Sequence, residues 1–368
     1  MSKSAAIILS RQCLRPSLSE PWVRKLIEAV GFVKREKLTL ISSAGSRNWE
    51  IITACAALNS VPLRLLLPVS GSSSFELLKS KISRQFCLTE GRVTFDKIKN
   101  KNSSDLTPLQ LASIRDETII NRADILIPVS VRPGGNMSKL LSESEADGKT
   151  IVREFETEYE KKKSKLAYQI DSSALSNKIK ELEKLYLVHW TRATNCRWPD
   201  ENKLEFYKMI FGSVRYRRTA FDTLRKILSG QSIMATSKNM PSNVKTVCFS
   251  ALVPEEAIRL MKWRRRYNQM SFEPFGIGIE RNYAIAHGIK EVRYYQPSQK
   301  KPADGQDNWW WQSAGKKTDW RNEKEFRYKG DFNFSKVPAD KRLIFCHHKS
   351  QANFITNQTG LRAVSFYN

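Results

Sequence analysis

The sequence lacks the features that would assign it at once to a membrane, secreted or zinc-binding class. It has no run of about eighteen apolar residues, so a membrane-spanning helix is not expected. The apolar N-terminus is short, and Arg11 follows it without the cleavage site of a signal peptide. The cysteines stand singly, without the C-x-x-C pairs of a zinc site or the density of a disulfide scaffold: Cys13, Cys55, Cys87, Cys196, Cys248 and Cys346. We therefore expect a cytoplasmic protein with reduced thiols.

The segment Cys346-His347-His348 places three residues side by side that can act as metal ligands. Adjacent residues on a strand project from opposite faces, and no second group of ligands completes a set of four. We therefore predict a structural role for these residues and no metal site.

Acidic residues are few relative to basic ones. The chain has 62 Lys and Arg against 37 Asp and Glu, which gives a formal charge of +25. Such a charge favours polyanions, nucleic acid first and anionic lipid second, whereas an even spread of charge would only solubilise the protein. Because the charge is clustered, an even spread is disfavoured, and we predict nucleic acid as the partner, bound by Arg215, Arg217, Arg218, Arg264, Arg265 and Arg266. We expect no membrane partner.

The length of 368 residues predicts two domains. In residues 1–155, short apolar runs alternate with amphipathic helical stretches, which is typical of an α/β domain with a Rossmann-like parallel sheet. Residues 156–185 are charged and carry an apolar residue every three or four positions, which predicts a helical connector. Aromatic and β-branched runs in residues 186–368 predict an α+β domain with an antiparallel or split sheet. In the first domain we expect strands at 5–9, 38–42, 63–68, 123–128 and 150–153.

Two glycine-bearing loops follow predicted strands of the first domain. One contains Gly45 and Ser46, and the other contains Arg132, Gly134 and Gly135. At the same edge of a parallel sheet, glycines let backbone N–H groups approach a phosphate, and the following helix N-terminus adds positive charge. Neither loop is a G-x-G-x-x-G or Walker A motif, so tight turns are an equal alternative.

The run Ala123-Asp124-Ile125-Leu126-Ile127-Pro128, followed by Arg132-Pro133-Gly134-Gly135, resembles the SLOG/LOG-type nucleotide-binding Rossmann superfamily. The early Ser-Gly loop belongs to the same pattern, and the resemblance covers roughly residues 1–155. It implies a nucleotide ligand held by the two loops. That family continues with Gly-Thr and a nearby Glu, whereas Asn136-Met137-Ser138 stand here. The departure favours nucleotide sensing or scaffolding over ligand hydrolysis.

The second half carries a possible catalytic set in the order His, Ser, Glu-x-Glu. His189 ends one apolar strand and Ser250 ends another, while Glu323 and Glu325 stand two apart in a strand-like segment and would point the same way. Transfer of ADP-ribose from NAD needs a carboxylate that stabilises the oxocarbenium-like ribose as nicotinamide leaves, and Glu325 suits that task. Glu323 would orient the acceptor or act as its base.

The remaining residues of this set have supporting roles in the same hypothesis. His189 would bond a ribose hydroxyl with Thr191 beside it, and Ser250 would brace Glu325 or the nicotinamide ribose. The alternative is that His189 is structural and that the two glutamates belong to an exposed strand with ion pairs. Three consecutive tryptophans, Trp309-Trp310-Trp311, would stack on bases or cap a core.

Five segments of the second half resemble, in this order, the AbiGi-type abortive phage-resistance proteins: Leu187-Val188-His189-Trp190-Thr191-Arg192, Leu224-Arg225-Lys226-Ile227-Leu228-Ser229-Gly230 with Ile233-Met234-Ala235, Val247-Cys248-Phe249-Ser250, Phe275-Gly276-Ile277-Gly278-Ile279 and Glu323-Lys324-Glu325-Phe326-Arg327. The first, second and last also resemble the ADP-ribosyltransferase fold of DNA-modifying toxins. The resemblance covers roughly residues 186–335 and implies NAD as substrate, a role in phage defence, and a partner such as an antitoxin. The chain departs from that fold in having no clear Tyr or Arg at a standard NAD-clasping position.

These patterns favour a defence-type protein with a nucleotide-sensing first domain and an ADP-ribosyltransferase-like second domain that acts on nucleic acid or an associated protein. The alternative is a non-enzymatic module that binds nucleic acid or a partner and is gated by a nucleotide. A nuclease is less favoured, because the chain lacks a convincing set of acidic metal ligands.

Overall fold

The structure is a computed structural model that describes residues 3–68, 72–98, 107–160, 168, 170–183, 185–237, 240, 243–265, 269–296, 298–299, 309–314 and 319–368. The chain forms two compact units. Unit 1 comprises Met1–Ser164 and Asn195–Arg217, and unit 2 comprises Lys165–Thr194 and Arg218–Asn368. The segment 195–217, which the expected boundaries place in the second domain, therefore belongs to unit 1.

Unit 1 is built on a parallel sheet, as the apolar runs predict. Its described strands are β1 (Ser4–Leu9), β2 (Thr39–Ser43), β3 (Leu63–Leu67), β4 (Val93–Lys97), β5 (Ile125–Ser130) and β6 (Thr150–Ile151). Within the described residues they form one six-stranded sheet in the order β4-β3-β2-β1-β5-β6, with every pairing parallel. Residues 5–9 are all buried, as expected of a strand covered on both faces. Strand β4 was not predicted, because its mixed polar residues are only half-buried at the sheet edge.

Helices alternate with these strands and complete the α/β domain. They are α1 (Pro21–Arg35), α2 (Arg47–Leu58), α3 (Ser72–Phe86), α4 (Pro108–Arg122) and α5 (Asn136–Ala146). Helix α1 begins at a proline, which suits the first helical position, and buries apolar residues at helical spacing. Helix α4 begins with a capping box between Thr107 and Gln110.

The predicted helical connector is mostly not helical. Among the described residues of 156–185, only α6 (Asn177–Lys180) is an α-helix. The N–H of Ser176 donates to the carbonyl of Phe366, and its hydroxyl donates to the carbonyl of Ser365. These bonds hold the segment along a strand of unit 2, and its apolar residues pack into that unit's core instead of onto one helical stripe.

The segment 195–217 contains α7 (Lys203–Phe211), which begins with a capping box between Asn202 and Glu205. Its buried residues pack against the helices of unit 1. The Tyr207 ring stacks on Phe86 with 6.4 Å between centroids, and Lys203 forms an ion pair with Glu50. These contacts explain why the segment belongs to unit 1.

Unit 2 is built on a mixed sheet that is largely antiparallel. Its strands in the described residues are β7 (Tyr186–Trp190), β8 (Ser232–Ile233), β9 (Thr246–Ser250), β10 (Trp263–Arg264), β11 (Gln269–Met270), β12 (Gly276–Glu280), β13 (Lys290–Glu291), β14 (Arg293–Tyr295), β15 (Trp311–Ser313), β16 (Glu325–Lys329), β17 (Phe332–Asn333), β18 (Arg342–His348) and β19 (Ala363–Tyr367). Seven of these described strands form one sheet in the order β13-β16-β9-β7-β12-β18-β19, in which only β18 and β19 pair in parallel. The coarse prediction of a second domain of strands with a few helices is confirmed.

The helices of unit 2 in the described residues are α8 (Ala220–Gly230), α9 (Pro254–Ala257), α10 (Arg281–Ala286) and α11 (Lys349–Thr359). Helix α8 ends at a left-handed residue, as amphipathic helices often do. That residue is Gln231, with φ of 50°, and Gly230 before it is the last residue of the helix.

The main sheet of unit 2 has two chemically different faces. Val188, Ser250 and Glu325 pair directly across β7, β9 and β16, so their side chains project from the same face of the sheet. Arg327 stands two residues after Glu325 on β16 and therefore projects from that face as well. We call this face the site face. Residues on the opposite face pack against α8 and α11 in one apolar core that includes Phe249 and Phe326.

Two glycines of β12 allow the neighbouring strands to pack on the site face. A Cβ atom at Gly276 would lie 2.7 Å from Cγ1 of Val188, and one at Gly278 would lie 2.8 Å from Cε2 of Phe345. We expect Gly276→Ala to lower the free energy of unfolding by about 1–3 kcal/mol, because the added methyl overpacks the core. Gly230→Ala is the control, since no atom lies within 4 Å of the added methyl. Urea unfolding of both variants measures the difference, and an unchanged midpoint for Gly276→Ala would contradict the expectation.

Candidate active site

Three strands that carry predicted site residues lie side by side in unit 2. Ser250 pairs with Glu325 on β16 and with Val188 on β7. Residues that pair directly on antiparallel strands project from the same face, so the Ser250 hydroxyl and the Glu325 carboxylate share the site face. The structure thus brings together residues from distant parts of the chain that the sequence analysis grouped as catalytic.

The Glu325 carboxylate is held by a buried arginine. Nε of Arg327 donates to Oε1 of Glu325 at 2.8 Å, and Nη2 of Arg327 donates to Oε2 of Glu325 at 2.9 Å. The Arg327 side chain is 1% exposed, and it also donates to the carbonyl of Trp309 at 2.8 Å and to the side-chain oxygen of Gln312. Because both residues project from one face two positions apart, the strand itself aligns the guanidinium with the carboxylate.

The thiol of Cys248 is also close to this pair. Cys248 pairs with Arg327 across the strands. Burial raises the pKa of the Cys248 thiol, and the neighbouring Glu325 carboxylate raises it further. The thiol is therefore protonated at neutral pH and is not a nucleophile there.

Glu323 is not part of the strand, contrary to the sequence prediction. Residues Trp320–Glu323 form a 3-10 turn, and Lys324 adopts a left-handed conformation with φ of 44° before β16 begins at Glu325. The two carboxylates are thus not aligned by strand alternation. The turn forms because Asp319 caps it by accepting a bond from the N–H of Arg321.

Side-chain contacts nevertheless keep Glu323 beside the pair. The Ser250 hydroxyl donates to the backbone carbonyl of Glu323 at 2.7 Å. The Arg264 guanidinium donates to Oε1 of the Glu323 carboxylate at 2.8 Å. Burial raises the pKa of Glu323, Arg264 opposes the shift, and the Glu325 charge adds to it. Two carboxylates are therefore held close together by two arginines, which is a geometry suited to a positively charged reaction centre.

The predicted nucleic-acid residues that the structure describes are divided between the two units. Arg264 is occupied within the site, since its Nε also donates to Ser271 and its guanidinium lies 5.0 Å from the Trp320 ring centroid. Arg218 is buried, Arg215 and Arg217 are exposed on unit 1, and Arg265 is exposed on unit 2. Arg266 lies outside the described residues.

His189 lies on the opposite face of the sheet from Ser250 and Glu325. Its neighbour Val188 pairs with Ser250, so strand alternation turns His189 to the other side, where its ring lies 6.0 Å from that of Phe249. Its Nδ1 lies 2.8 Å from the carbonyl of Cys248 and therefore carries the proton. The ring joins β7 to β9 and is not brought to the carboxylates.

Burial lowers the pKa of His189 to about 4 from an ordinary value of 6.5, so the imidazole is neutral in the folded protein at neutral pH. The stabilisation is present above pH 6.5 and is lost as the pH falls from 6.5 towards 4, because only the unfolded chain binds the proton in that window. We expect the wild type to lose up to about 3 kcal/mol over this range through His189.

The measurement is urea unfolding at several pH values between 7 and 4, with His189→Gln as the comparison. Glutamine can donate to the same carbonyl but does not titrate, so its unfolding free energy should fall less steeply with acid. Parallel curves for the two proteins would show that His189 is not the titrating group.

Thr191 has a structural role. It is buried, and its hydroxyl lies 3.0 Å from the carbonyl of Ala220 and 3.3 Å from that of Phe275. Its hydroxyl therefore anchors the end of β7 to α8. Arg327 and Arg264 were not predicted to hold the two glutamates. The i, i+2 spacing of Glu325 and Arg327 was the signal that could have found the first of them.

The glycine loops of unit 1 lie at one edge of its sheet, as predicted. Strands β2 and β5 flank β1, so the loops that follow them open at the same carboxyl edge. Gly45 has φ of 87° and Gly134 has φ of 66°, which favours glycine at both turns. Ser46 and Gly135 precede α2 and α5, and neither supplies a side-chain cap. The first N–H groups of both helices therefore lack a cap from these residues, as a phosphate site requires.

Arg132 stands at the same edge with an exposed side chain, and its N–H donates to the Ser10 hydroxyl at 2.9 Å. A nearby cavity of about 170 Å³ lies after β1 and is lined by Gln12, Trp22 and three carboxylates, Glu20, Glu158 and Glu160. These charges would repel a phosphate. The glycine loops and Arg132, not this cavity, have the chemistry for one.

No protein-family model, no curated protein and no solved structure matches this chain. The resemblances of its two halves therefore remain predictions, and the geometry carries the functional argument. No helix in the described part of the chain has the length and apolar character needed to cross a bilayer. Among the same residues, no three His, Cys, Asp or Glu side chains are grouped as metal ligands would be.

Proposed function

We propose that unit 2 is an ADP-ribosyltransferase-like effector that uses NAD as substrate and Glu325 as its essential carboxylate. One observation carries the proposal. The Glu325 carboxylate is fixed by the buried Arg327 on the face and strand end that also hold Ser250 and the Glu323 turn. A carboxylate oriented in this way can meet a developing positive charge without rearranging.

In the reaction, the bond between ribose C1′ and the nicotinamide nitrogen breaks, and nicotinamide leaves with the bonding electron pair. The cationic ribose that remains is stabilised by Glu325, in the manner of the carboxylates of glycoside-cleaving enzymes. A nucleophile of the acceptor then bonds to C1′ and loses its proton. Glu323, whose pKa is raised by burial, would take up that proton.

Other predicted residues have supporting roles. Ser250 positions the Glu323 turn through its hydroxyl, while His189 and Thr191 stabilise β7. In unit 1, the loops at Gly45 and Gly134 and the cation of Arg132 would hold a nucleotide that the protein senses. The resemblance to AbiGi-type proteins supports an anti-phage role with an antitoxin or another defence protein as partner.

The same ion pair supports a second candidate function. Both oxygens of Glu325 already accept bonds from Arg327, as in a purely structural pair. In that case unit 2 would be a non-enzymatic module that binds nucleic acid or a protein, gated by a nucleotide at unit 1.

The test is incubation of the purified chain with labelled NAD and, separately, DNA, RNA and cell extract. The proposal expects free nicotinamide and transfer of label to one class of acceptor. The absence of nicotinamide release in every mixture would reject the transferase. Retained binding of nucleic acid in the same samples would then favour the second candidate.

A further inference from the structure

Aromatic rings and cations are concentrated beside the Glu325 pair. The ammonium of Lys290 lies 4.2 Å from the Trp310 ring centroid, and the guanidinium of Arg293 lies 5.8 Å from that of Trp311. Both cations are exposed, and both indoles are half-buried, so each ring keeps part of its surface at the solvent. We call these four residues the aromatic ledge.

The ledge is joined to the candidate active site by the backbone. Strands β14 and β15 pair in parallel and set Arg293 opposite Trp311. The preceding Trp309 is buried, and its carbonyl accepts a bond from Arg327. The ledge is therefore attached to the residue that holds Glu325.

The sheet register places the lysine on the same side as the carboxylate. Lys290 pairs directly with Arg327, so it projects from the site face. Its neighbour Glu291 pairs with Phe326 and projects from the opposite face. The acidic residue of β13 is thus turned away from the ledge, and the ledge itself carries only positive charge.

We propose that the aromatic ledge binds single-stranded nucleic acid, with unpaired bases on Trp310 and Trp311 and phosphates on Lys290 and Arg293. An indole stacks on any unpaired base, whereas the bases of a duplex are stacked on one another and are not accessible. Each indole lies beside one cation, so each pair offers a ring for a base and a positive charge for a neighbouring phosphate. The further step, in which the ledge brings an acceptor base to Glu325, rests on the proposed function; the binding itself does not.

The experiment measures fluorescence anisotropy of labelled twelve-nucleotide oligo(dT), oligo(U) and a DNA duplex of the same length, without NAD. We expect the full chain to bind a single strand more tightly than the duplex, and the two single strands show whether DNA or RNA is preferred. Trp310→Ala should weaken single-strand binding by roughly tenfold or more. Lys290→Gln and Arg293→Gln should each make the slope of log affinity against log salt concentration less steep, by about one released counterion.

A matched aromatic and cation pair on the opposite face provides the control. The Arg225 guanidinium lies 5.1 Å from the ring centroid of Phe354, which is 38% exposed and stands on α11. Phe354→Ala and Arg225→Gln should bind oligonucleotides as the wild type does. Trp310→Phe keeps a ring and should retain more binding than the alanine variant, which separates stacking from loss of fold.

The outcomes distinguish this inference from the proposed function. Equal affinity of wild type and Trp310→Ala, or equal affinity for duplex and single strand, would overturn the ledge. A wild type that binds through the ledge but never consumes NAD would reject the transferase and leave the ledge established.

Discussion

Replacing Glu325 by glutamine should lower the rate of nicotinamide release by about a hundredfold or more. The amide has the size of the carboxylate and can still accept a bond from Arg327, but it carries no negative charge. Loss of one preoriented group that stabilises transition-state charge typically costs this much. The measurement is nicotinamide release from NAD at saturating substrate, which compares the chemical step.

Glu291→Gln is the matched control for this prediction. Glu291 is exposed on β13, the strand next to β16, and projects from the opposite face. The Glu291→Gln variant should therefore release nicotinamide at the wild-type rate. Thermal unfolding of the two variants checks that they are folded. Full activity of a folded Glu325→Gln variant would remove this residue from the mechanism.

Replacing Arg327 by methionine should lower the free energy of unfolding by about 3–5 kcal/mol. The guanidinium is 1% exposed and donates to both Glu325 oxygens, to the carbonyl of Trp309 and to Gln312. Methionine fills much of the same volume but leaves a nearly buried carboxylate without its partner. Urea unfolding measures the loss, and Glu325→Gln made in the same chain should recover part of it, because the uncompensated charge is gone.

Arg321→Met is the control for this pair. Arg321 also forms an ion pair with a carboxylate two residues away, that of Asp319, but both of these side chains are exposed. Water screens such a pair, so the variant should unfold at the wild-type urea midpoint. Equal losses of unfolding free energy in Arg327→Met and Arg321→Met would show that the burial of Arg327 does not determine the size of the loss.

The pattern of unit 1 could be predicted well because its signals are local. The apolar runs at residues 5–9 and 63–67 are long enough to name buried parallel strands, and loops after such strands must open at one edge. Strand β4 was missed because half-buried edge residues leave little apolar pattern. The acidic cavity near Glu158 also had no sequence signal, since its walls come from separate segments.

In unit 2, the local sequence pattern predicted the strands but not which side chains share a face of the sheet. The strands of His189, Ser250 and Glu325 were predicted, and the sheet places them side by side. Their side chains do not all converge, because the pairing of Val188 with Ser250 turns His189 to the other face. A shift of one residue in that register would have placed His189 on the site face, and register depends on the whole sheet.

The sequence by itself determined the two kinds of sheet, the glycine loops and the Glu325 segment, because each depends on residues that are close along the chain. The tertiary structure decided that Glu323 stands in a 3-10 turn, that Arg264 holds its carboxylate and that segment 195–217 belongs to unit 1. Each of these outcomes depends on contacts between segments far apart in sequence. Periodicity reports which face of an element is buried, but only packing determines which partner buries it.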